Sequence, residues 1–339
     1  MTVIRFGLAT ITISALVAAA GCSGSDSGGD TVELQVGHVF PSSSPIHTAA
    51  VAWAKDVETQ TDGRVTPKIF PSSQLGSDAD MGEGLKTGTT ACAMINYAAS
   101  GIDTKLQLSF MPYIVTDDAG ADKLFYGDGY VAEHDRKILK DLGVETIAFY
   151  ENDFRGLSNN KHAVTKPSDL KGLKLRVPET PVYIDMFETW GATPVAMAFS
   201  ELYTALQQGT VDGQDNGLNL TTDSKFGEVQ KYFSTTNHAY GTGALACNDK
   251  TWAKLSADDQ KIVKEAGTTM SENMRKDLRA ARDGKVKTLK DAGVEVTELT
   301  DAQRAEFAKI KDTLWKDNEK TFGKEVIDGL RKASDEAAK

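Results

Sequence analysis

Arg176 stands inside the strand-like run Leu173-Lys174-Leu175-Arg176-Val177, just ahead of Pro178. Alternate side chains of an extended strand share a face, so its guanidinium points to one side beside apolar neighbours and needs an acceptor. Solvent, an internal carboxylate or an anionic ligand can each supply one. Arg155 follows a second strand-like run and the aromatic Phe154, and carries the same options. A guanidinium presents a planar fork of donors, stays charged at any relevant pH and sheds water more readily than an ammonium, so the chemistry open to both is recognition of a carboxylate. Asp212-Gly213-Gln214-Asp215-Asn216-Gly217 has the composition of a polar turn after a helix.

Covalent chemistry has no comparable foothold. The chain contains no G-x-S-x-G, H-E-x-x-H, G-x-x-x-x-G-K-[ST] or C-x-x-C motif. Gly127, Gly129 and Ala132, and again Gly241, Gly243 and Ala246, fit G-x-G-x-x-A, but neither string follows a convincing buried strand. The histidines His38, His47, His134, His162 and His238 lack metal-ligand spacing. No catalytic residue, metal or cofactor is expected.

The elements that must position these side chains alternate between strand-like and helix-like runs, the pattern of an α/β protein. Val32 to Gly37 and Val65 to Phe70 are expected strands; between them Ala49 to Gln60 puts Ala50, Trp53, Ala54 and Val57 on one helical face, ended at Gly63. Val144 to Tyr150, Leu173 to Val177, Thr193 to Met197 and Ala244 to Asn248 are further strands. Thr180-Pro181 opens a helix, and Ser200 is placed to cap another that runs to Gln208 before Gly209. Ser256 to Asp259 and Thr300 to Gln303 are capping-box patterns, and the last quarter is mainly helical. The length suggests two domains, and since no solenoid period and no long linker divides the chain, they are expected to be interleaved, with a cleft where the chain crosses.

With 339 residues, 40% of them apolar, the chain can bury a full core. Its net charge of -10 and lack of a basic block argue against nucleic acid as a partner, while leaving room for an anion, because a few arginines in a dry cleft set the local field. Arg5, the apolar stretch from Ile11 to Ala20 and the small residues up to Gly21-Cys22 have the order of an export signal. Ala19-Ala20-Gly21-Cys22 resembles the lipobox of bacterial lipoproteins, which implies lipidation of Cys22; cleavage near Gly21 and full secretion is the alternative. Residues 22–30, nearly all Ser, Gly and Asp, suit a flexible tether. No later run can span a bilayer, so membrane contact is expected through the anchor only. Outside the cytoplasm Cys92 and Cys247 either pair or remain two buried thiols.

Seven stretches together resemble the substrate-binding subunits of tripartite ATP-independent periplasmic (TRAP) transporters, over about Leu34 to Leu255. They are Gly37-His38 through His47, Thr61 to Val65, Phe70 to Gly76, Asp169 to Pro178, Phe199 to Gly209, Val211 to Gln214 and Glu228 to Tyr232. The resemblance implies that Arg176 pairs with a ligand carboxylate, that Arg155 is a second cleft arginine, that Asn216 donates from its amide and that Phe199 packs on the ligand. It places His38 and Asn96 among first-lobe polar contacts. Gln214-Asp215-Asn216-Gly217 departs from many relatives, which carry glutamate and proline around the asparagine, and this bears on loop shape and ligand choice.

The implied molecule is a two-lobed α/β fold of the periplasmic-binding-protein kind, with interleaved lobes, mixed sheets flanked by helices and the ligand between them. Residues 1–21 are then the signal peptide and 22–30 the tether. Residues 31–152 with 242–282 form lobe 1, and 153–241 with 283–339 form lobe 2, the helical C-terminal region packing across both. The implied function is extracytoplasmic capture of a small organic acid for the membrane subunits of such a transporter. A ligand sensor using the same cleft, or an exported enzyme acting on organic acids, are the alternatives.

Overall fold

The computed structural model describes residues 31–339. The expected export signal, Cys22 and the expected tether lie outside the described residues.

Ten strands form one mixed sheet: β1 Val32–His38, β2 Val65–Phe70, β3 Cys92–Ile95, β4 Val144–Asn159, β5 Lys174–Val177, β6 Thr193–Ala196, β7 Gly213–Gly217, β8 Tyr232–Ser234, β9 Tyr240–Asn248 and β10 Glu295–Thr297. The order runs β2-β1-β3-β9-β4-β7-β5-β6, with β8 on β4 and β10 on β8. β2, β1 and β3 are parallel to one another, as are β6, β5 and β7. Parallel neighbours need crossovers, supplied by helices such as Pro45–Gln60 between β1 and β2 and Pro181–Thr189 between β5 and β6. Ser44 caps the first of these by accepting the Ile46 N–H, one turn earlier than apolar spacing alone suggests.

Two antiparallel strands join these parallel groups. β9 inserts between β3 and β4, and β4 continues past it to pair with β7 and β8. The β4 pairing register breaks between Glu151 and Phe154, where Asp153 takes a left-handed φ of 63°. Such a backbone needs outside support in a residue with a Cβ, and it has it. Asp153 accepts from Asn219 Nδ2 at 2.8 Å and from Arg282 Nε at 3.1 Å. Glu151 accepts from Tyr240 Oη at 2.7 Å, Arg279 Nε at 2.9 Å and Arg282 Nη2 at 3.1 Å.

Both arginines project from Ala257–Asp291, a helix of 35 residues capped by Ser256. Its early part lies along the Pro45–Gln60 helix, with Trp53 Nε1 donating to the Val263 carbonyl, and its end packs Leu289 on Phe233 of β8. One helix thus runs from the Pro45–Gln60 helix past β4 to the β8–β10 pair.

Three local expectations are corrected. β4 does not stop at Tyr150 but runs to Asn159 through buried polar residues. Residues 213–217 are a buried strand rather than a turn, because side chains of β4 and its neighbours satisfy their polar groups. Ser200 caps nothing: it sits inside the 3₁₀ turn Phe199–Glu201, and the following helix is Leu202–Gln207. The first G-x-G-x-x-A string joins two helices and the second lies within β9, so neither has the strand-to-helix turn of a dinucleotide site. Cys92 and Cys247, opposite each other on β3 and β9 and fully buried, are joined by a disulfide.

Candidate functional site

β5 carries Arg176 to a point where the strand ends face the start of the Asp78–Thr87 helix. The side chain is only 3% exposed, and Nε donates to the Met197 carbonyl at 2.9 Å. Its Nη1 and Nη2 hydrogens find no protein acceptor among the described residues, and no carboxylate lies within ion-pair distance. Burial, then the charge of Arg155, push this guanidinium down to about 10, against the pull of Asp215, Asp78 and Glu179. It is still a cation at neutral pH, and it is short of an anion.

Arg155, 1% exposed on β4, is in the opposite condition. Its Nε donates to Asp215 Oδ1 at 2.9 Å, and Nη2 donates to the Asp215 carbonyl at 2.7 Å, Asp215 Oδ2 at 3.1 Å and Asn216 Oδ1 at 3.2 Å. Burial alone would raise the Asp215 carboxyl; Arg155 and His238 override it and hold the group at about 2. His238 Nε2 lies 3.1 Å from Asp215 Oδ1, out of line for a full hydrogen bond, and Thr236 Oγ1 meets its Nδ1 at 2.8 Å. Of the two arginines, then, Arg155 takes the internal carboxylate and Arg176 does not.

One small cavity gathers Arg176, Arg155, Asn216, Phe199 and Asn96, together with Asp78 and Asn152. Asn216 donates to Gln214 Oε1 at 2.6 Å, which aims the carboxamide. Phe199 is half-buried, its ring 6.0 Å from the Arg176 guanidinium carbon and 6.0 Å from the Phe226 ring. Asn96 follows β3; its backbone N–H donates to Asp78 Oδ1 at 2.9 Å.

His38 does not line this cavity. From the end of β1 it turns toward the Pro45–Gln60 helix, where Nε2 meets His47 Nδ1 at 3.1 Å. Burial, then His47, push His38 down to about 4, so it is neutral in the fold. The unfolded chain regains an ordinary imidazole with a pKa near 6.5 and binds more protons between these values. The stabilisation is therefore complete above about pH 6.5 and falls as pH drops toward 4, by about 3 kcal/mol. Urea unfolding of the wild type and of His38→Gln at pH 7 and pH 4 measures this term; equal pH slopes for the two would refute it.

Sequence reasoning missed Asp78, Asp215 and His238. Asp78 sits in the first helical turn behind the N-cap Ser77, where an acidic residue is ordinary, so nothing marked it. The alternation of Gln214 and Asn216 around Asp215 was the available signal for a polar strand.

Residues 36–321 match the family described as bacterial extracellular solute-binding protein, family 7. The chain is 33% identical to the 2,3-diketo-L-gulonate-binding periplasmic protein of Escherichia coli over 89% of its own length and 91% of that protein's. A TRAP periplasmic solute-binding protein from Polaromonas, bound to D-erythronate, superposes with a TM-score of 0.82 at 32% identity, covering 88% of this chain and 98% of that one. Another, from Sulfurospirillum deleyianum with bound succinate, gives a TM-score of 0.82 at 28% identity, covering 89% and 99%.

Proposed function

The chain belongs to the bacterial extracellular solute-binding protein family 7, and we propose that it captures a small organic acid through Arg176 and delivers it to the membrane subunits of a TRAP transporter. The observation that carries this reading is a buried guanidinium whose terminal N–H groups have no protein partner. A ligand carboxylate completes it bidentately. Arg155 is spent on Asp215 and acts by fixing Asn216, whose amide, with that of Asn96, offers neutral polar contacts, while Phe199 covers the ion pair with apolar area. Binding of this kind makes and breaks no covalent bond, so the protein acts as a receptor and not as an enzyme.

The cavity has a volume of about 30 Å³, room for a water but not for an acid. Entry then requires the two strand groups to swing apart, and the register break at Glu151 to Phe154, with β9 and the long helix, supplies the crossings about which they turn. In this reading lobe 1 is 31–152 with 242–282 and lobe 2 is 153–241 with 283–339. An acid touching both favours the closed form by its differential affinity. No helix among the described residues is long and apolar enough to cross a membrane, and we assign membrane contact to a lipid on Cys22.

The test is a thermal-shift screen of the chain from Ser23 onward against small mono- and dicarboxylates, with neutral sugars and amines as controls. A matching acid at a hundredfold excess over its Kd stabilises by about 2.7 kcal/mol, a shift of several degrees. Silence from every acid with a response to a neutral compound would return Arg176 to a structural role.

A further inference from the structure

We propose that Asp78 makes this site select hydroxylated monocarboxylates over dicarboxylates, an inference that rests on Arg176 as the carboxylate anchor. The two side chains line the same cavity, and both line the adjoining one beneath Phe199. They are not paired with each other: no ion-pair contact joins them, although Arg176 is close enough to favour the charged form of Asp78. Asp78 Oδ1 is engaged by the Asn96 N–H, whereas Oδ2 receives no donor among the described residues. A donor fork and a free acceptor therefore flank one gap, unbridged by protein.

Charge decides what bridges it. Of the cavity's charged groups, Arg155 is matched by Asp215, which leaves the Arg176 cation and the Asp78 carboxylate, with Glu179 beside Arg176 in the adjoining space. One ligand carboxylate answers Arg176. A second would find no cation that lacks a carboxylate partner, since Arg155 is already held by Asp215, and would face Asp78 at short range, where like charges repel. A ligand hydroxyl instead donates to Asp78 Oδ2 in a charge-assisted hydrogen bond. The amides of Asn96 and Asn152 accept or donate to further hydroxyls without adding charge. Asp78 is half-buried, and burial raises its carboxyl to about 6 against the Asn96 N–H and Arg176. At neutral pH it is still a carboxylate, short of donors.

The experiment is calorimetric titration at pH 7.5 with three four-carbon acids: butyrate, succinate and 2,3,4-trihydroxybutyrate. The wild type is expected to bind the trihydroxy acid at least tenfold more tightly than the other two. Asp78→Asn keeps the acceptor for the Asn96 N–H and removes the charge, so its preference over succinate should shrink at least tenfold. Asp78→Glu, which keeps the charge but displaces it, should lose affinity for the trihydroxy acid while still rejecting succinate. Tighter binding of succinate by the wild type, or an unchanged preference in Asp78→Asn, overturns the assignment. Acids that bind without selectivity remove the role of Asp78 alone; no binding of any acid, by a protein that also ignores them in the thermal screen, removes the reading of Arg176 and this one with it.

Discussion

Arg176→Ala is expected to weaken binding of the cognate acid by about 2 to 5 kcal/mol, roughly thirtyfold to several thousandfold in Kd. The size follows from what the substitution leaves behind. In the wild type the guanidinium is already desolvated and has one fixed bond, to the Met197 carbonyl, which holds it in place. A carboxylate entering beside it is dehydrated as well, and without the arginine it would be a buried charge with no partner. Arg176→Lys should also weaken binding, because the ammonium keeps the charge but loses the fork. Calorimetry on both variants, with unfolding curves to verify the fold, measures this; affinity unchanged in Arg176→Ala would refute the anchor. Arg155 would make a poorer probe, since removing it strands the Asp215 carboxylate in the interior and damages the fold together with the site.

The second large effect concerns stability. The Cys92–Cys247 disulfide closes a loop with a sequence separation of 155 residues, for which the chain-entropy relation gives about 5 kcal/mol. The double variant Cys92→Ala/Cys247→Ala should lose an amount of this order in urea unfolding, with acid affinity unchanged below the transition, since neither cysteine lines the cavity. Because both sulfurs are fully buried, reductant should act only after the protein opens. Rapid reduction of the native protein, or a double variant as stable as the wild type, would contradict this.

The opening of the fold was legible because its burial is periodic. Ala50, Trp53, Ala54 and Val57 lie on the buried face of their helix, and β1 and β2 flank it where apolar spacing put them. Legibility failed where polar residues are satisfied from afar. Glu151, Asn152 and Asp153 have the composition of a loop, yet they continue β4 because Arg279 and Arg282, more than a hundred residues later, neutralise two of them. Gln214, Asp215 and Asn216 likewise become a strand only in the company of Arg155 and Ser158. For the site, an arginine in a short apolar strand marked Arg176 as needing an acceptor, and only the family resemblance made that acceptor a ligand. Arg155 looked the same in sequence, and only the fold separates the arginine with a carboxylate from the one without. Asp78 gave no sign, because its local role at a helix start fully accounts for its type.

The placement of β9 also bears on how the chain reaches this structure. Its nearest partner on one side, β3, is made early, and the strand that must slot between β3 and β4 arrives only after all of β5 to β8. An N-terminal fragment therefore cannot zip its sheet shut during synthesis, whatever its local propensities. Contacts so distant in sequence slow folding. The Cys92–Cys247 disulfide obeys the same order: the strand that carries its second cysteine is the last of the central four to be made, so the bridge can close only once β9 is in place, and in an extracellular family the surroundings suit its persistence.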